Sequence, residues 1–276
     1  MRPTPQDPGS GGSRPKEGIS GAGGRGGAGG RGGAGPEAAG ELARRIEGVL
    51  HLSVPAIGIS FSDRVPPAVP AFADPMAPPA PDGRAGRVPA SCVFWVRATS
   101  ASFTTVPADH GNCSVGRYTH GLASLAEVAG NEDIGALLGS GWVDDDQVGA
   151  LPAVSQRSAA ISYGPLRDAV GLPDVVLLRV NARQLMVLSD AVPGLVVEGK
   201  PQCHIVALAK ERAVVAASVG CALSRARTGM GPEEMTVAVP GERLAEVAGA
   251  LERTAAIDVE VAKYAAEDAR RFAQER

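Results

Sequence analysis

A ten-residue stretch that occurs twice limits what this chain can fold into more than any other feature. Cys113-Ser-Val-Gly-Arg-Tyr-Thr-His-Gly-Leu122 and Cys221-Ala-Leu-Ser-Arg-Ala-Arg-Thr-Gly-Met230 share several positions. Both have a leading cysteine, an apolar residue two on (Val115, Leu223), arginine at plus four (Arg117, Arg225) and glycine at plus eight (Gly121, Gly229). Each is preceded by another cysteine: Cys92 lies 21 positions before Cys113, and Cys203 lies 18 before Cys221. The chain has four cysteines, so all of them fall in the repeated frame. Self-similarity at a fixed offset is the mark of an internal duplication. Related copies tend to pack about a pseudo-twofold axis, as identical subunits do. Near such an axis equivalent corners meet, so two to four sulfurs are expected to converge.

The rest of the chain is read around that frame. Residues 1–35 hold 14 glycines and almost no large apolar side chains, too little to offset chain entropy, so a disordered tail is expected. Its Gly21-Ala-Gly-Gly-Arg-Gly26 fits the dinucleotide fingerprint in letters only, since no strand precedes it and no amphipathic helix follows. Pro36 to Leu50 predicts a helix, with Leu42, Ile46 and Leu50 at spacing four. Val54 to Phe61 predicts a strand, and the eight prolines from Pro66 to Pro89 an irregular segment able to cover a site mouth. Ser91 to Ala98 reads as a strand with Phe103 to Val106 as its hairpin partner. Cys113 to Leu138 reads as short helices, with a start signal at Asn131-Glu-Asp133. Gly139 to Ser155 reads as loose chain. Its Asp144-Asp-Asp146 run has too few oxygen ligands at set spacing to favour a hard cation.

The second half repeats this order. Val175 to Val180 is a buried-strand pattern, and Asn181 is a plausible cap for a helix over Leu185, Met186 and Leu188. Cys203 to Ala209 and Ala213 to Ala217 read as strands, and Glu234 to Pro240 as a strand stopped by proline. Glu242 to Leu251 and Val259 to Gln274 read as two helices. The expected fold is α/β, with α+β as its near relation: two βα halves with mixed sheets. The halves would span residues 36–155 and 156–254, with a closing helix over 255–276.

Composition narrows the function classes. The tail carries a net +3 and the remainder −6, and aromatics are scarce, which disfavours nucleic acid as a partner. No apolar run approaches the roughly 18 residues a membrane span needs. With no signal pattern at the N-terminus, a cytoplasmic location is the default expectation, where cysteines stay reduced. A homo-oligomer is compatible with the sequence, and nothing in it fixes the state. Cys113 and Cys221 each precede a helix candidate, where free N–H groups lower a thiol's pKa, and Arg117 or Arg225 one turn on would add positive charge. Four thiolates suit zinc or an iron–sulfur cluster. Zinc knuckles place cysteines two to four apart and none here are closer than 18, so an iron–sulfur centre or another transition metal ranks higher, on Cys92, Cys113, Cys203 and Cys221. The opposing reading is that the cysteines simply pack, as buried free cysteines often do. His120 beside Cys113 is the candidate acid or base, with His110 and His204 next. Arg117, Arg225 and Gly116 are candidates for holding a small anionic ligand. The reading that results is redox or lyase-type chemistry on a small molecule. A non-catalytic anion-binding module stands beside it, and an RNA-associated role for the tail is a distant third.

The early Val54-Pro-Ala-Ile-Gly-Ile59 strand, Ser91-Cys92, Cys113-Ser-Val-Gly116, Asn181-Ala-Arg-Gln184, Gly220-Cys221 with Arg225, and Glu234 to Pro240 occur in an order that resembles the family catalogued as domain of unknown function 169. The resemblance covers about residues 38–253. It implies an α/β cytoplasmic protein and carries no settled activity.

Overall fold

The computed structural model describes residues 36–73, 91–111 and 113–274. The glycine-rich tail and most of the proline-rich segment, residues 74–89, fall outside them, as do the expectations placed there. In chain order the elements are α1 (Pro36–Leu50), β1 (Ile57–Ser62), α2 (Ser91–Arg97), β2 (Phe103–Thr105), α3 (Ser114–Thr119), α4 (Leu125–Val128), α5 (Glu132–Gly139), α6 (Asp145–Gly149) and β3 (Ala160–Pro165). Then come β4 (Val175–Asn181), α7 (Ala182–Ala191), β5 (Val196–Glu198), α8 (His204–Arg212), β6 (Ala216–Ser218), α9 (Ala222–Thr228), β7 (Glu234–Pro240) and α10 (Leu244–Gln274). The fold is α/β, built on one mixed sheet of order β2-β3-β1-β4-β7-β6-β5.

Side-chain alternation along the strands divides the core in two. On β4, Val175 and Leu177 face one helical layer, and Val176, Leu178 and Val180 face the other. The second layer is α1, α7 and the first turns of α10. It is held by the α1 stripe Ala39, Leu42, Ala43, Ile46 and Leu50, which recurs every three or four residues. The first layer contains α2, α3, α5 and α8 and carries Cys92, Cys113 and Cys203. Asn181 caps α7, its side chain accepting from the Gln184 N–H at 2.9 Å.

Strand pairing about the centre of the sheet is symmetric. β1 and β4 pair antiparallel about Gly58↔Val176. On either side Ile57 faces Pro165 as Val175 faces Pro240, and further out Phe103 faces Tyr163 as Ala216 faces Ala238. Each of β3 and β7 ends in proline and runs into a short 3-10 turn, Leu166–Asp168 and Gly241–Arg243. The first N–H of each turn returns to the same place: Leu166 donates to Ala56 O and Gly241 to Asp174 O, both at 2.8 Å. β5 extends one edge, parallel to β6.

Several elements differ from expectation. Ser91–Arg97 is a helix, not a strand: Ser91, Cys92, Phe94 and Trp95 are its buried residues, at helical spacing. Cys203 to Ala209 is the cap and start of α8, with His204 to Ala209 all buried; an apolar run of that kind has no period by which to tell strand from helix. β2 pairs with β3 and not with 91–98. The aspartate run opens α6, with Asp144 accepting from the Gln147 N–H at 2.7 Å. Residues 242–274, expected as two helices, form a turn and one long helix that exposes Ile257, Val261, Tyr264 and Phe272 past Leu251. Among the described residues no helix is long and apolar enough to cross a membrane.

Candidate functional site

Each cysteine sits at the start of a helix. Cys113 is the N-cap of α3 and Cys221 the N-cap of α9. Both have extended backbone, and their sulfurs accept from the N–H three residues on, Gly116 and Ser224, each at 3.3 Å. A helix start leaves its first N–H groups unpaired, and a thiol at the cap position meets one of them. Cys92 lies in the first turn of α2, and Cys203 directly precedes α8. α2 packs on α9 and α3 on α8, so each half's helix starts are set against the other half's. All four cysteines line one cavity of about 40 Å³, and none is in a disulfide.

The wall around the thiols is ordered by hydrogen bonds. Ser224 Oγ donates to Gln202 Oε1 at 2.7 Å, and the Gln202 amide reaches Thr236 Oγ1 on β7. Asp133 takes both the N–H and the hydroxyl of Ser114, at 2.8 and 2.6 Å, and so holds the start of α3. Ser91, also on the wall, pairs with His110 Nδ1 at 2.9 Å. Arg227 brings a positive charge to the cavity, acting on Cys113 and Cys92. That role was missed in the sequence, because Arg227 lies six residues past Cys221, where the first copy of the motif has Thr119.

Burial decides the protonation of Cys92, Cys113 and Cys203, against the sequence expectation of thiolates. It pushes the Cys92 thiol up to about 11, a neighbouring thiol adding to the effect and Arg227 and Ser224 opposing it. Burial raises Cys113 despite the Gly116 N–H and Arg227, and holds Cys203 well above the usual thiol range. These thiols are neutral at pH 7.

The other candidates lie elsewhere. The Arg225 guanidinium donates to the carbonyls of Val219, Gly231 and Glu234 at 2.6, 2.6 and 2.8 Å, which ties β6 to β7 and leaves it no part in the cavity. The Arg117 side chain does not line the cavity, whereas Gly116 does. His120 is fully buried, with Nδ1 on Gly116 O at 2.9 Å and Phe61 and Trp95 rings about it. His110 is held between Ser91 and Thr105, its Nε2 2.8 Å from Thr105 Oγ1. Both histidines support the first half from behind the cavity. His204 lines a larger neighbouring pocket.

Among the described residues, no three or more His, Cys, Asp or Glu side chains form a group that could hold a metal ion as placed. The family model of domain of unknown function 169, described as an uncharacterised ArCR, matches residues 45–250, from α1 into α10. No curated protein and no solved structure matches the chain.

Proposed function

We propose that this chain, which belongs to the domain of unknown function 169 family, holds a transition-metal or iron–sulfur centre on Cys92, Cys113, Cys203 and Cys221, and through it acts on a small anionic molecule. The observation that carries this reading is that every cysteine in the sequence lines the same small cavity. Scattered packing cysteines have no reason to meet. A centre of this kind, when bound, supplies redox or Lewis-acid chemistry, which suits redox or lyase-type turnover.

The chain's own part is to bind and to balance charge. Thiols must lose their protons to become ligands, so loading releases protons and is favoured by rising pH. The negative charge left on sulfur would be offset by Arg227 and by the helix-start N–H groups already directed at Cys113 and Cys221. Ligation would draw the thiols closer together than they stand. The matching strand registers support reading the two halves as related copies. The second would then begin near β4 rather than at residue 156, because β3 pairs with β1 and β2.

A second reading keeps the thiols neutral and gives Arg227 a small anion to bind. The raised thiol pKa values favour it. Anaerobic purification with metal analysis separates the two. The expected result is coloured protein with stoichiometric metal, and loss of the colour and most of the metal in both Cys113→Ser and Cys221→Ser, with circular dichroism unchanged. Folded, colourless wild-type protein without metal, even after anaerobic incubation with iron and sulfide or with zinc, overturns the first reading.

A further inference from the structure

Beside the thiol cavity lies a pocket of about 250 Å³ that the reading above does not use. The two share Val115, Leu137, Trp142 and Pro201. Its walls are mostly apolar, and four polar side chains, Gln147, Glu198, Lys200 and His204, also line it. We propose that this pocket binds a small acid with an apolar body and a hydrogen-bond donor next to its carboxylate, as in hydroxy acids and amino acids.

His204 is the chief reason. Its side chain is 6 % exposed, and neither ring nitrogen has a hydrogen-bond partner among the described residues. Nε2 stands 3.6 Å from the Glu198 carboxylate, too far for a hydrogen bond. An imidazole ring brings one donor and one acceptor, and both are unmet here. A buried polar group left unpaired is costly, and a site built this way discriminates strongly for a ligand that pairs with it.

Lys200 supplies the charge. Its ammonium donates to the Trp142 carbonyl and lies 4.4 Å from the centre of the Trp142 ring. An ammonium has three N–H groups, so donors remain for a carboxylate. A plain carboxylic acid would satisfy Lys200 but leave the His204 acceptor unmet and face Glu198 with nothing to offer. A neighbouring ammonium can donate to both, and a neighbouring hydroxyl, with one hydrogen, to one of them. The apolar body would lie along Val115, Ile134 and Leu151, next to the wall shared with the thiols. Only the consequence for chemistry rests on the metal reading; binding itself does not.

The chain has two tryptophans, Trp95 and Trp142, so Trp95→Phe leaves Trp142 as the sole reporter. The metal-free protein is titrated with 3-phenyllactate, phenylalanine and 3-phenylpropionate, and with the isobutyl counterparts 2-hydroxyisocaproate, leucine and isocaproate. In at least one series, the hydroxy or amino acid should change Trp142 emission saturably and bind at least about tenfold tighter than the plain acid. Which of the two wins identifies the donor. His204→Phe should erase that preference, and Lys200→Met should weaken every acid. Calorimetry on the wild type gives the same comparison if Trp95→Phe does not fold. Absence of saturable binding in both series, or equal affinity for all three acids, overturns the proposal. Because no metal is present, either result is separate from the outcome of metal analysis.

Discussion

Gly241→Ala should cost this protein more than about 4 kcal/mol, a large share of the stability of an ordinary domain. A Cβ at position 241 would lie 1.8 Å from the carbonyl oxygen of Pro173 and 3.2 Å from that of Asp174. Both are backbone atoms, so no side chain can turn aside to make room. Gly241 is also tied there by its own N–H, which donates to Asp174 O at 2.8 Å. Relief requires the end of β7 to separate from the start of β4, and that breaks the pairing at the middle of the sheet. Urea denaturation reads the effect. Gly48→Ala, on a helix position with nothing within 4 Å, is the control and should be neutral or stabilising by up to about 1 kcal/mol. A Gly241→Ala protein with the wild-type midpoint would mean that β4 and β7 do not meet in this way.

Acid should weaken the fold before its carboxylates titrate. His120 is fully buried, and desolvation, partly offset by the Gly116 carbonyl, takes its pKa down from 6.5 to about 4. Burial also takes His110 well below its usual value, and His120 and Arg117 add to the effect. The folded rings stay neutral while the unfolded chain accepts protons. Stability is therefore full above pH 6.5 and falls as the pH drops through the folded values. For His120 the loss approaches about 3 kcal/mol near pH 4, at roughly 1.4 kcal/mol per pH unit, and His110 adds to it. Urea midpoints at pH 7.5 and 4.5 should show the fall, and His120→Asn should flatten part of it. Equal midpoints at the two pH values in the wild type would place the imidazoles in water.

Elements with a clear period or a local cap could be read from sequence: α1 to the residue, β7 up to its proline, and α7 from Asn181. So could the helix starts at Cys113 and Cys221, because a repeated cysteine before an apolar run carries its own register. The starts of α2 and α8 could not. Their apolar residues are buried on more than one side, and tertiary contacts chose helix where local pattern was silent. α10 reads as two helices in sequence because its apolar stripe faces the core only as far as Leu251. At the site the repeat found the sulfurs and misjudged the charges. Arg225 repeats Arg117 in sequence, yet its side chain turns back to three carbonyls, while Arg227 has no counterpart in the first copy and lines the cavity. Thiol ionisation was misjudged because desolvation, which a sequence does not display, outweighs one N–H and one guanidinium.

Sulfurs from far-apart parts of the chain share one cavity, and a trivalent arsenical puts this to the test, since arsenic bonds two or three thiols only when they are close. Reduced, metal-free native protein treated with phenylarsine oxide and digested should yield one arsenic bridging a peptide with Cys92 or Cys113 to a peptide with Cys203 or Cys221. Arsenic found only within one half, or taken up only after the protein is unfolded, would contradict the account.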